Sequence, residues 1–195
     1  MNRSAPKPAS ARAAGSVRII GGEWRGTRLP VADRDGLRPT ADRVRETLFN
    51  WLQPMLPGAR VLDLFAGTGA LGLEAVSRGA REAVLVERDP QLAEGLRQLA
   101  AKLPGGERVQ VVCADALTWL QAARGGFDLV FLDPPFTGDL WVPALVGLDG
   151  RLADQAWLYV ESPVSSPNVP GRAWRPHREG QTREVRYALY RRGQA

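Results

Sequence analysis

A glycine-rich turn between a short apolar run and a helix-like stretch constrains this chain more than any other feature. Residues 60–72 read Arg-Val-Leu-Asp-Leu-Phe-Ala-Gly-Thr-Gly-Ala-Leu-Gly, with Gly67, Gly69 and Gly72 in G-x-G-x-x-G spacing. Glycine suits such a turn because it accepts positive φ and lets backbone approach a ligand closely. The next apolar run, Ala83-Val-Leu-Val-Glu87, ends on a carboxylate twenty residues after Gly67. There an acid can take hydrogen bonds from the ribose hydroxyls of a bound nucleoside. These features imply a nucleoside cofactor and leave its identity open.

Two further stretches narrow it. Asp63 lies inside the strand-to-turn segment, and Phe131-Leu-Asp-Pro-Pro-Phe136 comes much later. A nicotinamide enzyme would explain the glycines but not Asp-Pro-Pro-Phe. Together the motifs resemble S-adenosylmethionine-dependent methyltransferases that modify exocyclic amino nitrogens of nucleobases.

At 195 residues the chain is long enough for one domain with a real core. Its apolar runs fall far short of a membrane span, and Met1–Gly15 lacks the apolar centre of a secretory signal. That basic, Ala/Pro/Ser-rich stretch reads as a disordered tail. The one cysteine, Cys113, lies in the apolar run Val109–Cys113. It is expected to be a small core residue: no internal disulfide can form, and further zinc ligands are missing. No metal site is expected, and the cytoplasm is the expected compartment.

The net charge of +5 divides into +6 over residues 1–60, −6 over 61–171 and +5 over 172–195. Basic ends around an acidic middle suggest that the ends face a polyanion. His177, the one histidine, sits in the basic C-terminal stretch and reads as exposed or RNA-facing rather than as a base.

The order of elements follows from periodicity. Val17–Gly22 and Gly26–Val31 suggest two short strands around Glu23-Trp24-Arg25. Thr40 is a candidate N-cap for a helix over 41–52, with Val44, Leu48, Trp51 and Leu52 on one face and Arg43 and Arg45 pointing elsewhere. From Arg60, strands at 60–65, 83–87, 109–113, 127–132 and 156–161 alternate with helices at 70–78, 90–103, 115–123 and 139–149. Alternation predicts an α/β fold, a Rossmann-like, mainly parallel sheet with helices on both faces. Residues 173–176 and 182–190 suit a closing antiparallel hairpin. The expected organisation is a tail over 1–16, an N-terminal RNA-recognition extension over 17–58 and a cofactor-binding catalytic domain over 59–195.

In such sheets ligands bind beyond the carboxyl ends of the strands. The turn at 66–69, Glu87, Asp115 and the segment 133–136 all follow strands, so all can open onto one crevice. Asp115 also reads as an N-cap. An exocyclic amino group is a poor nucleophile because its lone pair is delocalised into the ring. Acceptors for its two N–H groups, the Asp133 carboxylate and the Pro134 carbonyl, help aim that lone pair at a methyl donor. Pro134 and Pro135 stiffen the backbone, and Phe136 can stack on a base that has left its helical stack. Glu161-Ser-Pro163 ends a strand near the crevice and reads first as structural and second as lining the site.

The whole ordered set is similar to the bacterial 16S ribosomal RNA guanine-N2-methyltransferases of the RsmD type. The features are Arg18-Ile-Ile-Gly-Gly-Glu-Trp-Arg-Gly, Leu37–Leu52, Asp63–Gly72 and Asp133–Phe136, within a match of about residues 17–161. The resemblance implies S-adenosyl-L-methionine as cofactor, held by Asp63, Phe65, Ala66, Gly67, Thr68, Gly69, Glu87, Asp115, Ala116 and Asp133. It assigns Asp115 to the adenine amino group and Asp63 to the methionine moiety. It implies N2-methylation of one guanine of 16S rRNA, with the 30S subunit or its assembly intermediates as partner, no membrane, and a monomer in solution. Arg18, Arg25, Arg28, Arg38, Arg43 and Arg45 are candidate phosphate contacts, with Thr40 in the same RNA-facing set, and Trp24 either stacks on a base or pins the hairpin. Other readings remain at this point: adenine-N6 or cytosine-N4 methylation of DNA or RNA, a nicotinamide-dependent oxidoreductase, or a non-catalytic RNA-binding module.

Overall fold

The structure is a computed structural model, which describes residues 16–30 and 42–193. The extension holds a two-strand antiparallel hairpin, β1 (Ser16–Arg18) with β2 (Arg28–Pro30), followed by α1 (Asp42–Leu52). Then come β3 (Arg60–Asp63), α2 (Ala70–Ser77), β4 (Glu82–Glu87), α3 (Pro90–Ala100), β5 (Val109–Cys113), α4 (Ala116–Ala122), β6 (Phe127–Leu132) and α5 (Trp141–Leu148). The long strand β7 (Leu152–Pro163), β8 (Trp174–Gln181) and β9 (Val185–Arg192) complete the chain. Arg38 and the N-cap expected at Thr40 lie outside the described residues.

Seven strands form one sheet in the order β5-β4-β3-β6-β7-β9-β8. The first five are parallel; β9 runs antiparallel to β7, and β8 antiparallel to β9. Strand order reverses at β3, which lies between β4 and β6, and that reversal opens a crevice at the carboxyl edge. The outer strand β8 carries Pro176 and charged, exposed side chains, which keep a long edge from pairing with another chain.

The parallel strands are apolar on both faces because helices cover both. On one face α1, α2, α3 and the N-terminal hairpin share one buried cluster, including Val17, Ile19, Leu48, Phe49, Leu73 and Phe131. On the other, α4 and α5 pack over Leu62, Val84, Val130 and Leu158.

Three expectations change here. Cys113 is exposed, because it ends the edge strand β5 and has a neighbouring strand on one side only. Trp24 is buried: its indole Nε1 donates to the Pro104 carbonyl at 2.9 Å, and the Arg108 guanidinium lies over its ring. Its ring and its N–H are both satisfied inside the fold, so it pins the hairpin loop rather than offering a face to a base. Arg45 is wholly buried, on the packed side of α1 with Phe49 and Leu52.

Arg45 joins a buried polar cluster that docks the extension onto α2. Its Nη2 donates to the Arg18 carbonyl and to Asp42, each at 2.7 Å, and its Nη1 lies 3.8 Å from Glu74. Glu74, fully buried, also accepts from the backbone N–H groups of Ile20 and Gly21 and from Arg78 Nε. Gly22 follows with φ +77, its Cα against α2: a Cβ there would sit 1.8 Å from the Ser77 carbonyl oxygen. Arg18, Arg25, Arg28 and Arg43 remain exposed.

Candidate active site

The glycine turn is built by backbone geometry. β3 ends at Asp63, and the chain folds back so that Ala66 N–H reaches the Val86 carbonyl at 2.9 Å and Gly69 N–H reaches Ala66 at 2.7 Å. Gly69 has φ +72, and a Cβ on it would meet Leu96 at 2.6 Å, so strain and packing both exclude a side chain. α2 starts immediately after it.

Two carboxylates hold this turn. Glu87 Oε2 accepts from Gly67 N–H at 2.8 Å and its Oε1 from Asp89 N–H at 2.7 Å, tying the turn to the start of α3. Asp63, buried, accepts from Gly72 N–H at 2.9 Å. Burial pushes the Asp63 carboxyl up to about 7; the Gly72 bond opposes this, and the charge of Glu87 adds to it.

Asp115 caps α4, accepting from Thr118 N–H at 2.9 Å, and that bond leads the causes holding its carboxyl below the ordinary range. The cap geometry is therefore present, beside an exposed carboxylate and the buried Ala116. Ala114 N–H bonds the Glu87 carbonyl, which keeps Asp115 close to the turn. Phe65 and Thr68 are half-buried along the turn.

Asp133-Pro-Pro-Phe136 leaves β6 at the same edge, one strand over from the turn. Burial raises the Asp133 carboxyl well above the ordinary carboxylate range, and the charges of Glu161 and then Asp63 raise it further. Pro134 is buried and Phe136 half-buried. The Phe136 ring lies 5.9 Å from Trp141, whose Nε1 donates to the Glu161 carbonyl at 2.8 Å. Tyr159 Oη donates to Glu161 Oε1 at 2.7 Å. Trp141, Tyr159 and Glu161 thus belong to the site's surroundings; the sequence marked neither aromatic as functional and offered Glu161 only as a second reading. The signal available was Glu161 at a strand's carboxyl end.

Asp63, Glu87, Asp115 and 133–136 therefore share one edge. The exposed arginines of the extension lie with the hairpin and α1, while Trp24 and Arg45 turn inward for the reasons given above.

The protonation of Asp63 is open to a direct test. Its carboxyl titrates at 3.8 unfolded and about 7 folded, so the folded state holds the extra proton between those values. Stability then falls as pH rises from about 4 to about 7 and levels off above. Asp63→Asn keeps an oxygen for Gly72 N–H without the charge. We expect this variant to exceed the wild type at pH 8 by about 2 kcal/mol, the difference vanishing near pH 4. Urea midpoints at the two pH values measure it; equal midpoints at pH 8 would refute the assignment.

This sheet order, with a glycine turn at the reversal point and an antiparallel final pair, is the fold of class I methyltransferases. The family model described as Conserved hypothetical protein 95 matches residues 17–191. Ribosomal RNA small subunit methyltransferase D of Escherichia coli (strain K12) is 48% identical over 182 residues, 91% of each chain. The chain belongs to this family. A solved structure of yhhF from Escherichia coli superposes with TM-score 0.82 at 47% identity, covering 93% of this chain and all of that one. SMU.776, solved complexed with SAH, shares the fold at 17% identity and TM-score 0.72, covering 95% of this chain and 58% of that one.

Proposed function

We propose that this chain transfers a methyl group from S-adenosylmethionine to the exocyclic N2 of one guanine in small-subunit ribosomal RNA. The observation that carries the reading is Asp133-Pro-Pro-Phe136 at the carboxyl edge, adjacent to the glycine turn. The likeness to small subunit methyltransferase D supports the polymer, and the exposed Arg18, Arg25, Arg28 and Arg43 suit phosphate contact.

The residues present fit the cofactor by their chemistry. Asp63 is buried and Asp133 half-buried; desolvation raises both carboxyls, the charge of Glu87 adding to it at Asp63 and the charges of Glu161 and Asp63 at Asp133, and a cation entering among these carboxylates relieves the repulsion. Glu87 and Gly67 would hold the ribose, and Asp115 the adenine amino group. When bound, S-adenosylmethionine supplies a methyl group on a positively charged sulfur.

The chain's own work is placement. Asp133 and the Pro134 carbonyl accept the amino N–H groups and aim the nitrogen's lone pair, Pro135 stiffens the segment, and Phe136 stacks on the base. Asp133 need not remove a proton first, because the amine becomes strongly acidic only once methylated. Most of the acceleration then comes from positioning.

The test uses methyl-labelled S-adenosylmethionine and small subunits lacking this modification, followed by digestion to nucleosides. Label should appear as N2-methylguanosine. Label in N6-methyladenosine or N4-methylcytidine would keep the enzyme class and replace the base. No transfer to subunits or free RNA, despite cofactor binding, would overturn the substrate.

A further inference from the structure

Resting on the reaction proposed above, we propose that Glu161 is a specificity determinant, its carboxylate accepting the ring N1–H of the target guanine while Asp133 and Pro134 hold the amino group. Register carries the placement. β6 and β7 pair in parallel through Phe131↔Tyr159 and Leu132↔Val160, so Asp133 and Glu161 take the next rung. That puts them about one strand spacing, ~4.8 Å, apart at the backbone. Residues 159 and 161 share a face of β7, and the Tyr159 bond to Glu161 orients the carboxylate. The backbone beneath Glu161 is tied through Trp141 to the Phe136 ring, so the aromatic and the second carboxylate are held as one unit.

The chemistry matches guanine among the amino-bearing bases. Guanine presents two neighbouring donors on its pairing edge, N1–H and the N2 amino group. Adenine and cytosine present a ring lone pair beside the amino group. Two carboxylates side by side accept the guanine pattern and repel the other two. Tyr159 is one partner of Glu161, and a carboxylate with about four lone-pair sites can serve more than one donor at a time.

The experiment first locates the modified guanosine with wild-type enzyme. It then replaces that guanosine with 2-aminopurine riboside in the small-subunit RNA by splinted ligation. This base keeps the 2-amino group but carries a lone pair at N1. Wild-type kcat/KM should favour guanosine by roughly 10²-fold, the upper reach of one charged hydrogen bond.

In Glu161→Gln, Tyr159 retains the amide oxygen as its acceptor and turns the NH₂ toward the base. That donor suits 2-aminopurine and opposes guanine, so the preference should fall below about tenfold. Calorimetric affinity for S-adenosylhomocysteine should stay within about twofold, which separates base reading from damage to the cofactor site. Tyr159→Phe, which frees the carboxylate to rotate, should narrow the preference in the same direction, and it carries the comparison should Glu161→Gln not fold. An unchanged preference in the folded variants overturns the assignment. Absence of N2-methylguanosine with the wild type removes the reaction and this role together, and is read without any variant.

Discussion

Glu74→Ala will lower the unfolding free energy by about 3–5 kcal/mol, because it strands a buried guanidinium. Arg45 is wholly buried and reaches Arg18, Asp42 and Glu74; without Glu74 its charge keeps one exposed carboxylate and one carbonyl. The same change removes the acceptor for the Ile20 and Gly21 N–H groups, which hold the hairpin loop on α2. Urea unfolding should show a lower midpoint with an unchanged slope, and hydrogen exchange at Ile20 and Gly21 should quicken most. Adding Arg45→Met removes the orphaned charge and should return part of the loss. A midpoint within experimental error of wild type would show that Arg45 is not paying a desolvation cost there.

Asp133→Ala will lower the rate of methyl transfer by on the order of 10²–10³-fold, the usual effect of deleting one preorganised polar group at a reacting centre. The carboxylate is half-buried and feels the charges of Glu161 and Asp63, in a partly desolvated setting where a hydrogen bond to the amino group is worth more than in water. Asp133→Asn keeps one oxygen able to accept, so its loss should be smaller, roughly tenfold. Single-turnover transfer measures the chemical step, and calorimetry with S-adenosylhomocysteine should show binding changed less than about fivefold. If Asp133→Ala transfers within a few-fold of wild type, the acceptor role belongs elsewhere in 133–136.

Much of the arrangement was legible in the chain. The alternation after Arg60 predicted the parallel strands within a few residues, since strand and helix periods differ and glycine and proline mark the joints. The ends differ for local reasons. The strand expected to reach 65 stops at Asp63, where the turn begins, and the helix expected to reach 103 stops at Ala100. Glu87 and Asp133 were visible because each ends an apolar run, and ends of parallel strands converge on one edge.

What local pattern could not supply was packing between distant segments. Arg45 reads as a surface charge on an amphipathic helix, until α2 places Glu74 against it from 29 positions away. Trp24 reads either as a stacking face for a base or as a pin for the hairpin, until the Pro104 carbonyl meets its N–H and decides for the pin. Cys113 reads as core, until β5 proves to be the edge of the sheet. The sequence by itself determined the turn, the strand ends and the motif at 133–136, because each depends on residues within about a dozen positions. Only the tertiary structure decided that Asp133, just past the end of β6, lies beside the neighbouring strand that carries Glu161, with buried Tyr159 hydrogen-bonded to the second carboxylate. Strand order and register are set by burial summed over the whole sheet, which no single stretch contains.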